Sequence, residues 1–109
     1  MSQHLCHSKC NGRPVTVLMG WDRPLQGFFL TVEDADQDLD YVYCNLDDDS
    51  LVAFGGLPPS LDHFTDVLRQ LGIDVPAAMI AGVLEDGANN VGNRFVRYGD
   101  DGAPVAGGA

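Results

Sequence analysis

Basic residues are scarce in this 109-residue chain, which has six Lys and Arg against sixteen Asp and Glu. Its formal net charge of −10 would repel nucleic-acid backbones and anionic membrane surfaces. We therefore expect neither direct nucleic-acid binding nor binding to a membrane. Long hydrophobic runs are missing as well, because no apolar stretch approaches the roughly 20 residues that span a bilayer.

Cysteine is scarce and odd in number, with Cys6, Cys10 and Cys44 in the whole chain. An odd count argues against a disulfide framework. The N-terminal stretch MSQHLCHSKCNGR has no apolar core of the kind that a secretory signal peptide needs. We therefore expect a soluble protein of the cytoplasm.

Four soft metal ligands do lie close together near the N-terminus: His4, Cys6, His7 and Cys10. Structural zinc sites usually combine two separated ligand pairs, whereas no second pair occurs elsewhere in this chain. The four residues are thus weak candidates for a metal site, and no metal or cofactor is predicted. The stretch has no hydrophobic periodicity, so residues 1–12 are interpreted as a flexible tail.

The sequence pattern of residues 13–99 predicts a single α+β domain. Alternating apolar residues indicate three consecutive strands in PVTVLMGW, QGFFLTVE and YVYCNL, and the first two are close enough to form a hairpin. LVAFGGLPP is either a short fourth strand or a packed loop.

Two helices and a final strand complete this prediction. Leu61, Phe64, Leu68 and Leu71 are spaced as on one helix face, and Gly72 is a typical helix end. A second helix is expected from Val75, and a last strand at residues 94–98 before a disordered tail, 100–109. The order β-β-β-(β)-α-α-β favours an antiparallel sheet of three to five strands with both helices on one face.

Half of the acidic residues flank the third predicted strand: Glu33, Asp34, Asp36, Asp38, Asp40, Asp47, Asp48 and Asp49. Such runs are most often solvated loops. The alternate spacing of the first Asp residues also resembles the start of an EF-hand loop, but Leu39 and Asn45 stand where that loop needs Gly and Glu. The third interpretation is a recognition surface that attracts a partner with a basic surface.

Two loops offer an alternative binding site, formed by Trp21, Asp22 and Arg23 in one loop and by Asn89, Asn90, Asn93 and Arg94 in the other. No motif identifies a reaction, and His63 is interpreted as a surface residue, so no catalytic residue is predicted. We expect a protein that acts by protein–protein interaction, as an inhibitor or adaptor of a basic or nucleic-acid-binding partner. In this interpretation the acidic surface of the protein itself imitates DNA. The alternative is a small-ligand or metal-binding domain that uses the two loops.

Overall fold

Five strands form one sheet in the computed structural model, which describes residues 1–35, 41–99 and 101–105. They are β1 (Ser2–Cys10), β2 (Arg13–Asp22), β3 (Gly27–Asp34), β4 (Tyr41–Cys44) and β5 (Arg94–Arg97), in the spatial order β4-β3-β2-β1-β5. All neighbouring strands are antiparallel except β1 and β5, which run parallel. The α+β prediction is confirmed, and the sheet is mixed instead of purely antiparallel.

Two helices pack against one face of this sheet, which we call the inner face. Helix α1 (Asp62–Leu71) buries Phe64 and Leu68, and helix α2 (Ala77–Ala88) buries Met79 and Val83 in the same core. Helix α1 ends where the sequence predicts, at Gly72. Its φ of 70° is left-handed, a conformation that glycine adopts without strain. None of the described helices is long and apolar enough to cross a membrane.

The inner face of the sheet is apolar at its centre because the strand register places apolar residues of β2 opposite apolar residues of β3. Val17 of β2 lies opposite Val32 of β3, and Met19 lies opposite Leu30, all of them fully buried. The apolar residues that alternate along the sequence of these two strands are therefore the ones that form the core. The opposite side of the sheet, the outer face, carries the residues between them, such as Leu18 and Phe29.

The N-terminus is the main correction to the sequence-based fold. Residues 2–10 are not a tail: they form β1, which lies inside the sheet between β2 and β5. Its buried residues are small or polar, namely Ser2, His4, Cys6 and Cys10. Because these buried residues are not large and apolar, the sequence of β1 shows no apolar alternation.

The segment LVAFGGLPP, predicted as a short strand or a packed loop, begins with a helical turn instead of a strand. Residues Asp49–Phe54 are a 3-10 helix that buries Leu51 in the core and ends at Gly55, whose φ is 62°. At the other end of the chain, residues 101–105 form a turn against β5. The predicted disordered tail also includes residues 100 and 106–109, which lie outside the described residues.

Candidate functional site

The two acidic segments predicted to bind a partner lie at opposite ends of β4. Glu33 and Asp34 end β3, and Asp47, Asp48 and Asp49 follow β4. Since β4 has four residues, the two ends are about 13 Å apart. Asp36, Asp38 and Asp40 lie outside the described residues.

These acids have different environments. Glu33, Asp47 and Asp49 are exposed, while Asp34 forms an ion pair of 2.6 Å with Arg13. Asp48 is partly buried and is the centre of a hydrogen-bonded cluster. The segment is therefore divided between exposed charges, which a partner could reach, and carboxylates that hold the protein's own structure together.

Asp48 accepts hydrogen bonds from three neighbouring residues. Oδ2 accepts from the Tyr43 hydroxyl at 2.5 Å and lies 2.8 Å from Nε2 of His63, and Oδ1 accepts from the backbone N–H and the hydroxyl of Ser50. The carboxylate thus caps the 3-10 helix and ties it to β4 and to α1. Sequence reasoning missed this cluster, because its members are brought together only by the fold.

The hydrogen bonds also fix the charge of the cluster. Those from Ser50, Tyr43 and His63 hold the pKa of Asp48 well below the ordinary carboxyl value. Burial, together with the hydrogen bond to Asp48, raises the pKa of Tyr43. Asp48 is therefore a stable anion and Tyr43 a stable donor throughout the physiological pH range.

Serine, histidine and aspartate together resemble the residues of a catalytic triad, but the geometry differs. In a triad the aspartate and the serine contact different imidazole nitrogens. Here Asp48 and Ser50 both approach Nε2 of His63, and the Ser50 hydroxyl donates to Asp48. The arrangement binds Ser50 to the carboxylate and does not prepare its oxygen for attack.

A groove runs along β4. It has a volume of about 270 Å³ and is lined by the four residues Tyr41–Cys44 together with Asp47 and Asp48. A second cavity on the inner side of the strand continues it towards α1, where His63, Val67 and Leu71 contribute to the wall. The edge strand therefore lies between an acidic end and a partly apolar cleft.

The outer face of the sheet carries large apolar side chains that the helices do not cover. A shallow cavity of about 350 Å³ crosses it, lined mainly by apolar residues, among them Leu18, Leu25, Phe29, Leu46 and Leu57. Leu46 is 70% exposed, and Phe95 on β5 is 41% exposed. Phe29 lies across Gly20 on β2, where a Cβ would come within 2.7 Å of the ring.

The loops proposed as an alternative site do meet, through hydrogen bonds within the protein. Nε1 of Trp21 donates to Oδ1 of Asn90 at 3.1 Å, and Gln26 donates to the same oxygen at 2.7 Å. Asp22 accepts from the backbone N–H of Leu25 and so forms the turn between β2 and β3.

The remaining members of this loop set lie apart or contact other groups. Arg23 and Asn89 are exposed, and the Asn93 side chain accepts from the N-terminal amine. Arg94 donates to Asp86 at 2.7 Å. Most polar groups of the two loops are therefore used in joining the loops to each other and to the sheet.

The four candidate metal ligands of the N-terminal strand are not brought together. His4, Cys6 and Cys10 point into the core, whereas the side chain of His7 is exposed on the outer face. Among the residues that the structure describes, no group of three or more His, Cys, Asp and Glu side chains could hold a metal ion.

His4 instead belongs to a buried polar network beneath α2. Its Nε2 lies 2.6 Å from Oδ2 of Asp86, and its Nδ1 lies 2.8 Å from the hydroxyl of Tyr98. Burial acts to raise the pKa of Asp86, but the hydrogen bonds from His4 and Ser2 and the charge of Arg94 outweigh it and lower that pKa. The network is closed to solvent at His4 and Asp86 and joins β1, α2 and β5.

Comparison of the chain with protein-family models, with curated proteins and with solved structures finds no match. The function is therefore inferred from the geometry of these surfaces.

Proposed function

We propose that the protein acts by binding another protein, which covers the outer face of its sheet. The observation that supports this proposal is the apolar part of the outer face, where Leu25 and Leu46 are exposed at a shallow apolar cavity and Phe95 is exposed on β5. Sheets with one solvated face normally carry polar residues there. Contiguous exposed apolar surface is typical of interaction sites.

The charge around this face favours a partner with basic residues. The exposed acids Glu33, Asp47 and Asp49 lie at the two ends of β4, which borders the outer face. The protein carries a net charge of −10, so it would attract a basic partner over long range and speed the encounter. In this proposal apolar contact supplies the affinity and the acidic rim selects the partner.

An inhibitor or adaptor would work in this way, by occupying a surface of its target. The proposed setting is the cytoplasm, where the free thiols of Cys6, Cys10 and Cys44 would stay reduced. A surface that imitates DNA by charge alone is less well supported, because Asp34 and Asp48 are engaged within the protein.

The experiment is affinity capture from a lysate of the source organism, followed by reconstitution with the purified partner. Leu46→Glu places a charge in the exposed apolar face and should weaken the reconstituted complex by roughly tenfold or more, as expected of a residue central to an interface. Higher salt should weaken it further by screening the acidic rim.

Leu84→Glu on α2 is the matched control, because Leu84 is also exposed, at 49%, but lies on the opposite side of the molecule. It should leave the affinity unchanged. Equal loss of binding in both variants, or no loss in either, would count against the outer face as the binding surface.

A further inference from the structure

The two edges of the sheet are protected unequally. On β5, the C-terminal end of the free side is covered by the turn that follows the strand: the backbone N–H of Val105 donates to the carbonyl of Arg97 at 2.8 Å, and Tyr98 pairs with Pro104. On β4, the described residues pair with β3 alone, and no described segment bonds to the other edge. An open edge is a template for another extended chain.

The space beside the open edge has the shape that an added strand needs. All four β4 residues line the groove, so it follows the whole length of the strand. On the inner side it meets the cleft with Val67 and Leu71 of α1, and on the outer side it reaches Leu46. Side chains of an added strand alternate between the two faces and would find apolar surface on both.

The charges at the groove select among extended chains. Asp47 and Asp48 line it, and the exposed Asp49 and Glu33 lie beyond its two ends. Arg13 pairs with Asp34 at the Glu33 end of β4, whereas Arg69 and Arg94 pair with acids away from the groove. An acidic segment would be repelled here, and a basic segment would be attracted.

We infer that the open edge of β4 binds an extended, basic segment of the partner by strand addition. This inference rests on the proposed function and names the form in which the partner reaches the sheet. Backbone hydrogen bonds to Tyr41–Cys44 hold the segment, as in other cases of β-strand addition. Its basic side chains lie against Asp47 and Asp49, and its apolar side chains enter the cleft beside α1.

The test uses two synthetic ten-residue peptides that alternate Lys and Val, one unmodified and one with every peptide nitrogen methylated. The methylated peptide keeps the charge but loses all backbone donors. With the unmodified peptide we expect amide chemical-shift changes and new protection from hydrogen exchange at Tyr41–Cys44. The methylated peptide should bind roughly tenfold more weakly or worse, because several hydrogen bonds are lost.

Charge is tested with Asp47→Asn, which should weaken binding of the unmodified peptide by roughly two- to fivefold, the effect of one exposed ion pair. Asp74→Asn is the matched control, since Asp74 is exposed but lies between the helices. A peptide that alternates Glu and Val should not bind. Equal affinity of the methylated peptide, or no binding of either Lys peptide, would overturn the inference.

The result also separates this inference from the proposed function. If the peptide shifts signals around Leu18 and Phe29 and not on β4, strand addition is wrong but binding through the outer face stands. Phe95 is exposed on the outer face of β5, at the edge of the sheet opposite β4. If neither Leu46→Glu nor Phe95→Glu weakens partner capture while the peptide still binds β4, the outer face is wrong and edge binding stands.

Discussion

The imidazole of His4 and the carboxylate of Asp86 lie 2.6 Å apart, and neither side chain is exposed to solvent. One tautomer of the neutral imidazole satisfies both of its contacts, with Nε2–H donating to Asp86 and Nδ1 accepting from Tyr98. The carboxylate keeps its charge opposite Arg94. The pair links the first strand of the chain to its last helix.

Removal of one partner from this buried pair should be strongly destabilising. Asp86→Ala leaves His4 and Arg94 without their acceptor and should lower the free energy of unfolding by roughly 3–5 kcal/mol. Asp66→Ala is the control, because it breaks the exposed ion pair with Arg69 and should cost no more than about 1 kcal/mol. Urea unfolding measures both variants; similar losses in the two would contradict a special role of the network.

Helix α2 should not tolerate a side chain at position 82, although alanine is the better helix former. A Cβ on Gly82 would lie 2.8 Å from the Tyr98 hydroxyl and 2.9 Å from Cε1 of His4. The gain in helix propensity is about 1 kcal/mol, whereas overpacking typically costs about 1–3 kcal/mol. Gly82→Ala should therefore destabilise the protein in thermal or urea unfolding.

The control for this prediction lies in the same helix. Ala81 is exposed, so Ala81→Gly measures the propensity effect alone and should cost about 1 kcal/mol. A Gly82→Ala variant that is more stable than the wild type would show that His4 and Tyr98 can move aside.

Stability should fall in acid in part because of Asp48. Its folded-state pKa is lowered by hydrogen bonds from Ser50, Tyr43 and His63. A group of this kind stabilises the fold above its unfolded pKa of about 3.9, and the stabilisation is lost as the pH falls towards the folded value. Asp48→Asn should be less stable than the wild type at neutral pH.

The difference in the free energy of unfolding between the wild type and Asp48→Asn should narrow between about pH 5 and pH 3. The reason is that the wild type alone loses the contribution of this carboxylate. Urea unfolding across that range measures it. Asp86 also has a lowered pKa, but it is present in both proteins and does not affect the comparison. A gap that stays constant down to about pH 3 would show that Asp48 titrates normally.

Thiol reactivity should distinguish the two faces of the sheet. Cys6 faces the core, and burial raises its pKa to about 11, so it stays protonated and shielded near pH 8. Cys44 lies half-buried on the outer face beside the shallow cavity. A thiol reagent should therefore label Cys44 first, and Cys44→Ser should remove the fast phase. A fast phase that persists in Cys44→Ser would place another thiol at the surface.

Apolar periodicity was sufficient to predict most of the fold from sequence. Val17, Met19, Leu30 and Val32 repeat every second residue, and Leu68 continues a helical spacing, so local pattern and final burial agree. The same criterion failed for β1, because Ser2 and His4 are buried through hydrogen bonds that the sequence does not display.

The candidate site could be predicted only in part. The acidic flanks of β4 are visible in the sequence, but the different environments of Asp47 and Asp48 are not. Tyr43, Ser50 and His63 reach Asp48 because a 3-10 helix turns the chain back onto α1, which is a tertiary event. The position of β4 at an edge of the described sheet is likewise a property of strand order, which the local sequence pattern does not give.

The parallel pairing of β1 with β5 determines the order in which the nascent chain can fold. The hairpins that join β1 to β2, β2 to β3 and β3 to β4 are available early in synthesis, because their partners are close in sequence. Ser2 finds its parallel partner, Arg94, only after both helices have been made. At roughly 5–20 residues per second, the first strand lacks one of its neighbours for several seconds. The small and polar residues of β1 give the strand no apolar alternation in the sequence. They also lower its tendency to aggregate during that delay.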